Sequence, residues 1–415
     1  MPVTALEPQP SVARNVYVFG VTSLLNDTAS EMAYWVLPAF LVSLGAGPAQ
    51  LGLIEGLAES VASFAKLFSG YLTDRVDRRK PLVVAGYFVA NAVKPLLAVV
   101  SAWWQILLIR FTDRLAKGVR GAPRDVMVAE SVGKERLGSA YGLIQSMDSA
   151  GAIAGPLAAL VLLAHYGIRS VFWAAAIPGA LCVMVALFGI RETQKPRFSQ
   201  KARETGHPNE VDFRPAKKSA DNSKASLATL PGSFYVVLIA VSLFSLGNSS
   251  DMFLVMRAQN VGIPVAMAPL LGLVFNLTYT LGSWPAGWCS DHFSRRGIAA
   301  AGYFIFAAVY FVFGRAPSSL AIWITMAVYG LYYALTQPVL KALVVEAVGQ
   351  EVRGRALGVY AFVTSVATLA ASLITGELWK HYGAGVPFYF SAGLAAISAV
   401  LLLLNPDRDG RKTQK

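Results

Sequence analysis

The sequence predicts an all-α polytopic membrane protein, with twelve transmembrane helices in two pseudo-symmetric six-helix bundles. Three observations predict it. Of the 415 residues 55% are hydrophobic and only 14% charged, and mean hydropathy is +0.51; a polytopic membrane protein reaches such values routinely and a soluble domain rarely does. Twelve apolar stretches are interrupted once, near the middle, by a polar segment. The two sides of that interruption repeat each other's motifs at one spacing.

The apolar segments run approximately over 16–44, 48–73, 81–102, 103–129, 137–164, 170–190, 232–256, 264–290, 297–314, 318–345, 355–380 and 385–404. Most are long enough for a tilted helix to cross a hydrocarbon core of about 30 Å. The first carries Asp27 and Glu31 one turn apart on one face. In the second, Glu55, Glu59 and Lys66 share an arc of about 40° at helical spacing, and the third carries Lys94. The fourth holds Arg110, Asp113, Arg114, Lys117, Arg120, Arg124 and Asp125, all within about 140° of the helix circumference. Each such charge costs about 2.5–3.5 kcal/mol in lipid even on the mildest insertion scale. This face must therefore look into protein or a water-filled cavity, which points to a polar pathway across a membrane. The fifth segment carries Asp148 and the stretch Gly151-x-x-x-Gly155-Pro156, whose small residues permit close helix approach and whose proline permits a bend.

Residues 191–231 are polar, rich in Lys and Arg, and contain Pro196, Pro208 and Pro215. They read as a flexible cytoplasmic linker between an N-terminal bundle (1–190) and a C-terminal bundle (232–415). The second bundle is sparser in charge, with Asp251, Lys341, Glu346 and Glu377 as its main examples. It offers Trp284, Tyr279, Tyr329, Tyr332, Tyr333 and Gln337 as a more apolar wall.

The net charge of +12 is a topology signal and excludes nothing but a nucleic-acid reading, because the bases sit in short loops between apolar segments. Lys and Arg concentrate in the N-terminus, the even-to-odd loops, the linker and the C-terminus. The odd-to-even loops hold only Arg169, Arg257, Arg315 and Lys380. Both termini are expected on the cytoplasmic side of a bacterial-type inner membrane. No cleavable signal peptide is expected, since the first apolar segment is too long for one. Cys182 and Cys289 fall in apolar segments and read as small buried hydrophobes. No thiolate or imidazole metal site, Walker-type loop or nucleophile–base pair is visible, so neither an enzyme nor a resident cofactor is expected.

Gly70-Tyr-Leu-Thr-Asp74 recurs as Gly287-Trp-Cys-Ser-Asp291, and Arg78 and Arg79 as Arg295 and Arg296, 217 residues apart. Glu130-Ser-Val-Gly-Lys-Glu135 recurs as Glu346-Ala-Val-Gly-Gln-Glu351 at a spacing of 216, as do Gly138, Ala140 and Gly142. Such a duplication implies a two-fold axis along the membrane normal and a site near mid-membrane. With G-x-L-x-D-R-x-x-R-R at Gly70–Arg79, the fourth-segment Arg110 with Gly118 and Pro123, and the fifth-segment glycine motif, the chain resembles the major facilitator superfamily (MFS). Asp77 stands where that family usually has Gly, and Ala158-Ala159 where it has a second Gly pair. The glycine motif is similar to one associated with drug/proton antiporter-like exporters.

The resemblance implies a cytoplasmic latch of Gly70, Asp74, Arg75, Arg78, Arg124, Asp125 and Glu130. Asp74 would approach the N-terminus of the eleventh helix, where the dipole favours an anion, and Arg78 would pair with Asp125 or Glu130. The charges of the first bundle, seven acids against seven bases, can be internally paired, which makes burial tolerable. Asp27, Glu31, Glu59, Asp113 and Asp148 are the expected proton-coupling and cavity residues. Arg110, Arg114, Lys117, Arg120, Asp251, Gln337 and Lys341 are the expected substrate and charge network. The expected function is alternating-access secondary transport, with proton-coupled export of a small organic compound, protons as coupling ion, and a monomer as the default state. The alternative is uptake or exchange of an organic anion held by the fourth segment's bases.

Overall fold

The computed structural model describes residues 10–76, 78–132, 137–193, 232–316, 318–346, 348 and 353–404, and among them every regular element is helical. The chain runs through α1 (Pro10–Tyr34, resumed at Leu37–Ser43), α2 (Pro48–Arg75), α3 (Lys80–Val93, extended by 3-10 turns over Lys94–Val99) and α4 (Trp103–Glu130). Next come α5 (Leu137–Tyr166), α6 (Ile168–Ala174 and Ala176–Gly189), α7 (Gly232–Gly247 and Met252–Asn260) and α8 (Ala268–His292). The last four are α9 (Arg295–Arg315), α10 (Ser319–Glu346), α11 (Arg353–Tyr382) and α12 (Val386–Leu404). These are the twelve expected segments. The break in α1 precedes Pro38, whose ring cannot coexist with the carbonyl four residues back. Pro95 likewise loosens α3 into 3-10 turns.

Nine of the described helices could cross a membrane by length and composition alone. The three that fall short are α1, α2 and α4, the helices that carry Asp27, Glu31, Glu55, Glu59 and the charged face of α4. Their polarity is turned inward: α1 packs along α5, and α2 and α3 pack along α4. Large apolar side chains such as Phe188 and Leu404 stay on the outside, as a lipid-facing surface requires. The two bundles are filled differently. The second is aromatic at its centre, with Phe244 stacked on Tyr303 and Phe306 on Tyr310, each at 3.9 Å between ring centroids.

The bundles touch at the end remote from the chain's termini. Gly52 of α2 sits against the carbonyl of Ser372 on α11, and a Cβ on Gly376 would lie 2.7 Å from the carbonyl of Pro48. Ser60 Oγ donates to the Ser365 carbonyl at 3.2 Å. Trp35 covers Gly272 of α8, and Asn276 Nδ2 donates to the Ala152 carbonyl at 3.1 Å. Phe64 and Phe362 make a last ring contact at 5.8 Å. Toward the terminal end, a Cβ on Gly70, Gly142 or Gly358 would meet no atom within 4 Å. Among the described residues, then, the bundles are closed at the remote end and apart at the terminal end.

Because overpacked helix contacts cost about 1–3 kcal/mol, Gly52→Val is expected to pry α2 from α11. Short-linker thiol cross-linking between Ser60→Cys and Ser365→Cys measures this, and its yield should drop when Gly52→Val is added.

Candidate functional site

The site is built on α4, and small residues bring that helix close to its neighbours. A Cβ on Gly118 would sit 2.5 Å from the Ala62 carbonyl and from Ala65 Cβ on α2. On α3, Gly86 leaves room for Arg120, whose Cβ lies 2.6 Å from where a Cβ would stand. The charged face of α4 is thus pressed between α2 and α3.

At its centre, Arg110 donates from Nε to Glu55 Oε1 and from Nη2 to Glu55 Oε2, both at 2.9 Å. Arg110 Nη1 lies 3.9 Å from Asp113, and Lys94 Nζ lies 3.6 Å from the same carboxylate. Asn91 accepts from Lys94 at 3.1 Å and donates to Asn26 Oδ1 at 3.3 Å. All these side chains are buried. Buried charges are tolerated only with such geometry, the planar fork of arginine on a carboxylate being the strongest form. Glu55 also accepts from Ser250 Oγ of α7 at 3.2 Å, which ties the network to the opposite bundle. Farther toward the terminal end, Arg114 pairs with Glu59 at 3.1 Å, and Asp125 with Arg124 at 3.1 Å and Lys66 at 4.0 Å.

Two neighbouring spaces that share four lining residues adjoin this network. An inner cavity of about 80 Å³ is lined by Glu31, Tyr34, Lys94, Arg110 and Asp113 among others. A vestibule of about 280 Å³ is lined by Glu59, Lys66, Arg124, Asp125 and Asp148 among others. Asp27, Arg114, Lys117 and Arg120 line both. Arg120 stacks over Tyr87 at 4.3 Å. The α5 motif sits directly behind the α1 acids: a Cβ on Gly151 would lie 3.1 Å from Asp27 Cβ, and one on Gly155 2.8 Å from Glu31 Cβ. Gly155 precedes Pro156, so α1 and its two carboxylates rest against the backbone of α5. Glu31 accepts from Trp35 Nε1 at 2.7 Å, and Trp35 itself packs on Gly272 and, at 6.2 Å, Phe275 of α8.

The structure therefore brings together Asp27, Glu31, Glu59, Asp113, Asp148, Arg110, Arg114, Lys117 and Arg120. Asp251 faces this network from the second bundle, next to Ser250, accepting from Tyr329 at 2.7 Å and Tyr333 at 3.2 Å beside Phe275 and Tyr279. The side chains of Asp74, Trp284, Gln337, Lys341 and Glu346 lie outside the described residues. The expected pairing of Arg78 needs correction. Arg79, not Arg78, donates to both oxygens of Glu130 at 2.6 Å. Residue 79 is the last before α3 and is buried, whereas Arg78 is exposed. Thr193 Oγ1 also donates to Glu130 at 2.6 Å, and Glu192 accepts the backbone N–H of Arg79 and of Lys80 at 2.9 and 3.1 Å, placing an anion where the α3 dipole favours one. Arg75 stacks on Tyr71 at 4.2 Å. Trp35, Asn91 and Ser250 are not among the residues expected from the sequence, and Glu55 and Lys94 are expected there as intramembrane charges but not as site residues. Glu55 lies one turn from Glu59, and Trp35 one turn from Glu31, which was the available signal.

The sequence profile of the Major Facilitator Superfamily matches residues 19–257 and 237–415. The chain belongs to the Major Facilitator Superfamily. An uncharacterized MFS-type transporter of Methanocaldococcus jannaschii is 32% identical over 409 residues, 96% of each chain. Multidrug resistance protein MdtG of Escherichia coli is 24% identical over 393 residues, 93% of each. Among solved structures, the nucleoside transporter NupG superposes with TM-score 0.70 at 13% identity, covering 94% of this chain and 98% of that one. A D-xylose-proton symporter superposes with TM-score 0.67 at 16% identity, covering 94% and 96%; at these identities the likeness shows the MFS fold alone. This MFS member is an integral membrane protein of the secondary-transport class.

Removing one partner of a buried ion pair costs about 3–5 kcal/mol, while a pair with an exposed partner is worth about 0–1 kcal/mol. The Glu55 side chain is 1% exposed and that of Glu59 43%. Glu55→Gln is therefore expected to lower the melting temperature in detergent well below that of Glu59→Gln, as read by tryptophan fluorescence.

Proposed function

We propose that this chain is a proton-coupled exporter of a small organic compound, working by alternating access between bundles 1–190 and 232–415. The Lys and Arg distribution puts the termini and the 191–231 linker in the cytoplasm of a bacterial-type inner membrane. The open terminal end then faces inward, and the contacts from Trp35 to Phe64 close the outer side. Arg79, Glu130, Glu192 and Thr193 hold the inner ends of α3 and α4 together, which lets the first bundle move as a unit.

One observation carries the coupling. Asp27, Glu31 and Asp148 line the spaces with no cation within 4.0 Å among the described residues. Intramembrane carboxylates of this kind serve as proton carriers. Of the three, Glu31 is the first choice, because its oxygen holds Trp35 and Trp35 lies in the contact between bundles. A change of charge at Glu31 thereby reaches the surface that must separate when the outer side opens. The glycine motif of α5 supports export, as do the relatives that carry the multidrug resistance name. The basic residues Lys117 and Arg120, without an ion-pair partner among the described residues, favour the second reading, uptake or exchange of an organic anion; the direction of gradient-driven flux separates the two.

In everted vesicles given an inward-acid gradient, fluorescein is expected to accumulate, and a protonophore to abolish it. Glu31→Gln should lose this gradient-driven component while remaining folded. Flux indifferent both to the gradient and to Glu31→Gln would contradict the coupling.

A further inference from the structure

We propose that Lys117 and Arg120 form a subsite for the anionic group of the substrate, and that the substrate is a small organic carboxylate or phosphate ester with an apolar body. This rests on the transport reading but not on the direction of flux. Around the two spaces every other described base has an acid within 4.0 Å: Lys94, Arg110 and Arg114 in the interior, Lys66 and Arg124 near the mouth. Lys117 and Arg120 have none. Burying a charge without a partner is costly, so the buried Arg120, with the ammonium of Lys117 on the same cavity wall, is an arrangement that a bound anion completes.

Their location is equally specific. With Asp27 and Arg114 they are the residues shared by the inner cavity and the vestibule, so three bases and one acid ring the junction between them. Arg120 is 5% exposed, its guanidinium is fixed over the ring of Tyr87, and its Nη1 has no hydrogen-bond acceptor. The Nε of Arg114 also lacks one, its Nη2 being held by Glu59. Lys117 is exposed and supplies a movable ammonium at the same junction. Rigid guanidinium forks with a mobile ammonium suit carboxylate and phosphate oxygens. The apolar part of the ligand follows from the inner lining, where Tyr34, Leu37, Leu97 and Ile109 face the same space. Two of the three acids without an ion-pair partner are held by neutral donors, Glu31 by Trp35 and Asp27 by Asn26 Nδ2 at 3.1 Å, whereas Arg120 has only the face of the Tyr87 ring.

The test is thermal unfolding of the purified full-length protein in detergent at fixed ionic strength with benzoate, phenyl phosphate or benzylamine. Benzoate or phenyl phosphate is expected to raise the melting temperature, the more effective one identifying the anionic group, and benzylamine to leave it unchanged. Lys117→Gln should weaken the anion's apparent affinity at least about tenfold, the loss of one charge-assisted contact, while Lys117→Arg retains most of it. Arg120→Gln should do the same; if it does not fold, the Lys117 pair of variants still decides. The proposal is overturned if neither anion stabilises the protein, if benzylamine alone does, or if anion binding survives Lys117→Gln unchanged. Binding is read here without a gradient, so its failure leaves proton-driven flux untouched, and a failure of flux leaves anion binding untouched.

Discussion

The arrangement depends on the fork between Arg110 and Glu55. A helix with as many ionised groups as α4 cannot stand in a bilayer unless its charged face is satisfied internally. Arg110 is buried and bidentately paired, and its pair is a link in a chain from Lys94 through Asp113 to Glu55. That chain fixes α2, α3 and α4 relative to one another. Ser250, donating to the same carboxylate from α7, carries the network across the gap. The pair is therefore both an internal strut of the first bundle and part of the seam between bundles.

The two bundles share a plan and differ in material. In the first, polar side chains take up the interior, and glycines permit the close approach that polar contacts need: Gly118 against α2, Gly86 against Arg120, and Gly151 and Gly155 against the α1 acids. In the second, stacked aromatic rings fill the corresponding volume, and Asp251 is satisfied by tyrosine hydroxyls, with no base paired to it among the described residues. A rigid aromatic body opposite a polar one gives the moving parts unequal roles. In the proposed cycle, charge and hydration would change on the polar side, against a nearly constant aromatic surface.

Much of the fold was legible because helix length, apolar composition and the internal repeat each constrain it separately. Even the three helices with poor membrane character were identifiable, since their charges fall on one face. That Arg114, Lys117 and Glu31 share an interior followed from the cost of the alternative. What could not be read was partner choice. One residue separates Arg78 from Arg79, and only the exact start of α3 decides which guanidinium turns inward to Glu130. Glu55 and Glu59 share a helical face, yet whether Arg110 or Arg114 reaches each depends on the tilt of α4 against α2, which Gly118 sets through a contact far from it in sequence. Trp35 and Ser250 enter the site from a helix break and from the opposite bundle, and neither place has a periodic signature.

Gly142 of α5 and Gly358 of α11 stand at matching positions of the internal repeat, and both look into empty space. Their counterparts at the remote end, Gly52 and Gly376, are crowded by backbone. Under the alternating-access proposal, bare backbone on the open side is what a second shape would need, in which the crowding moves to the terminal side. A large side chain grafted at residue 142 or 358 would then leave this conformer intact while denying the protein its return stroke.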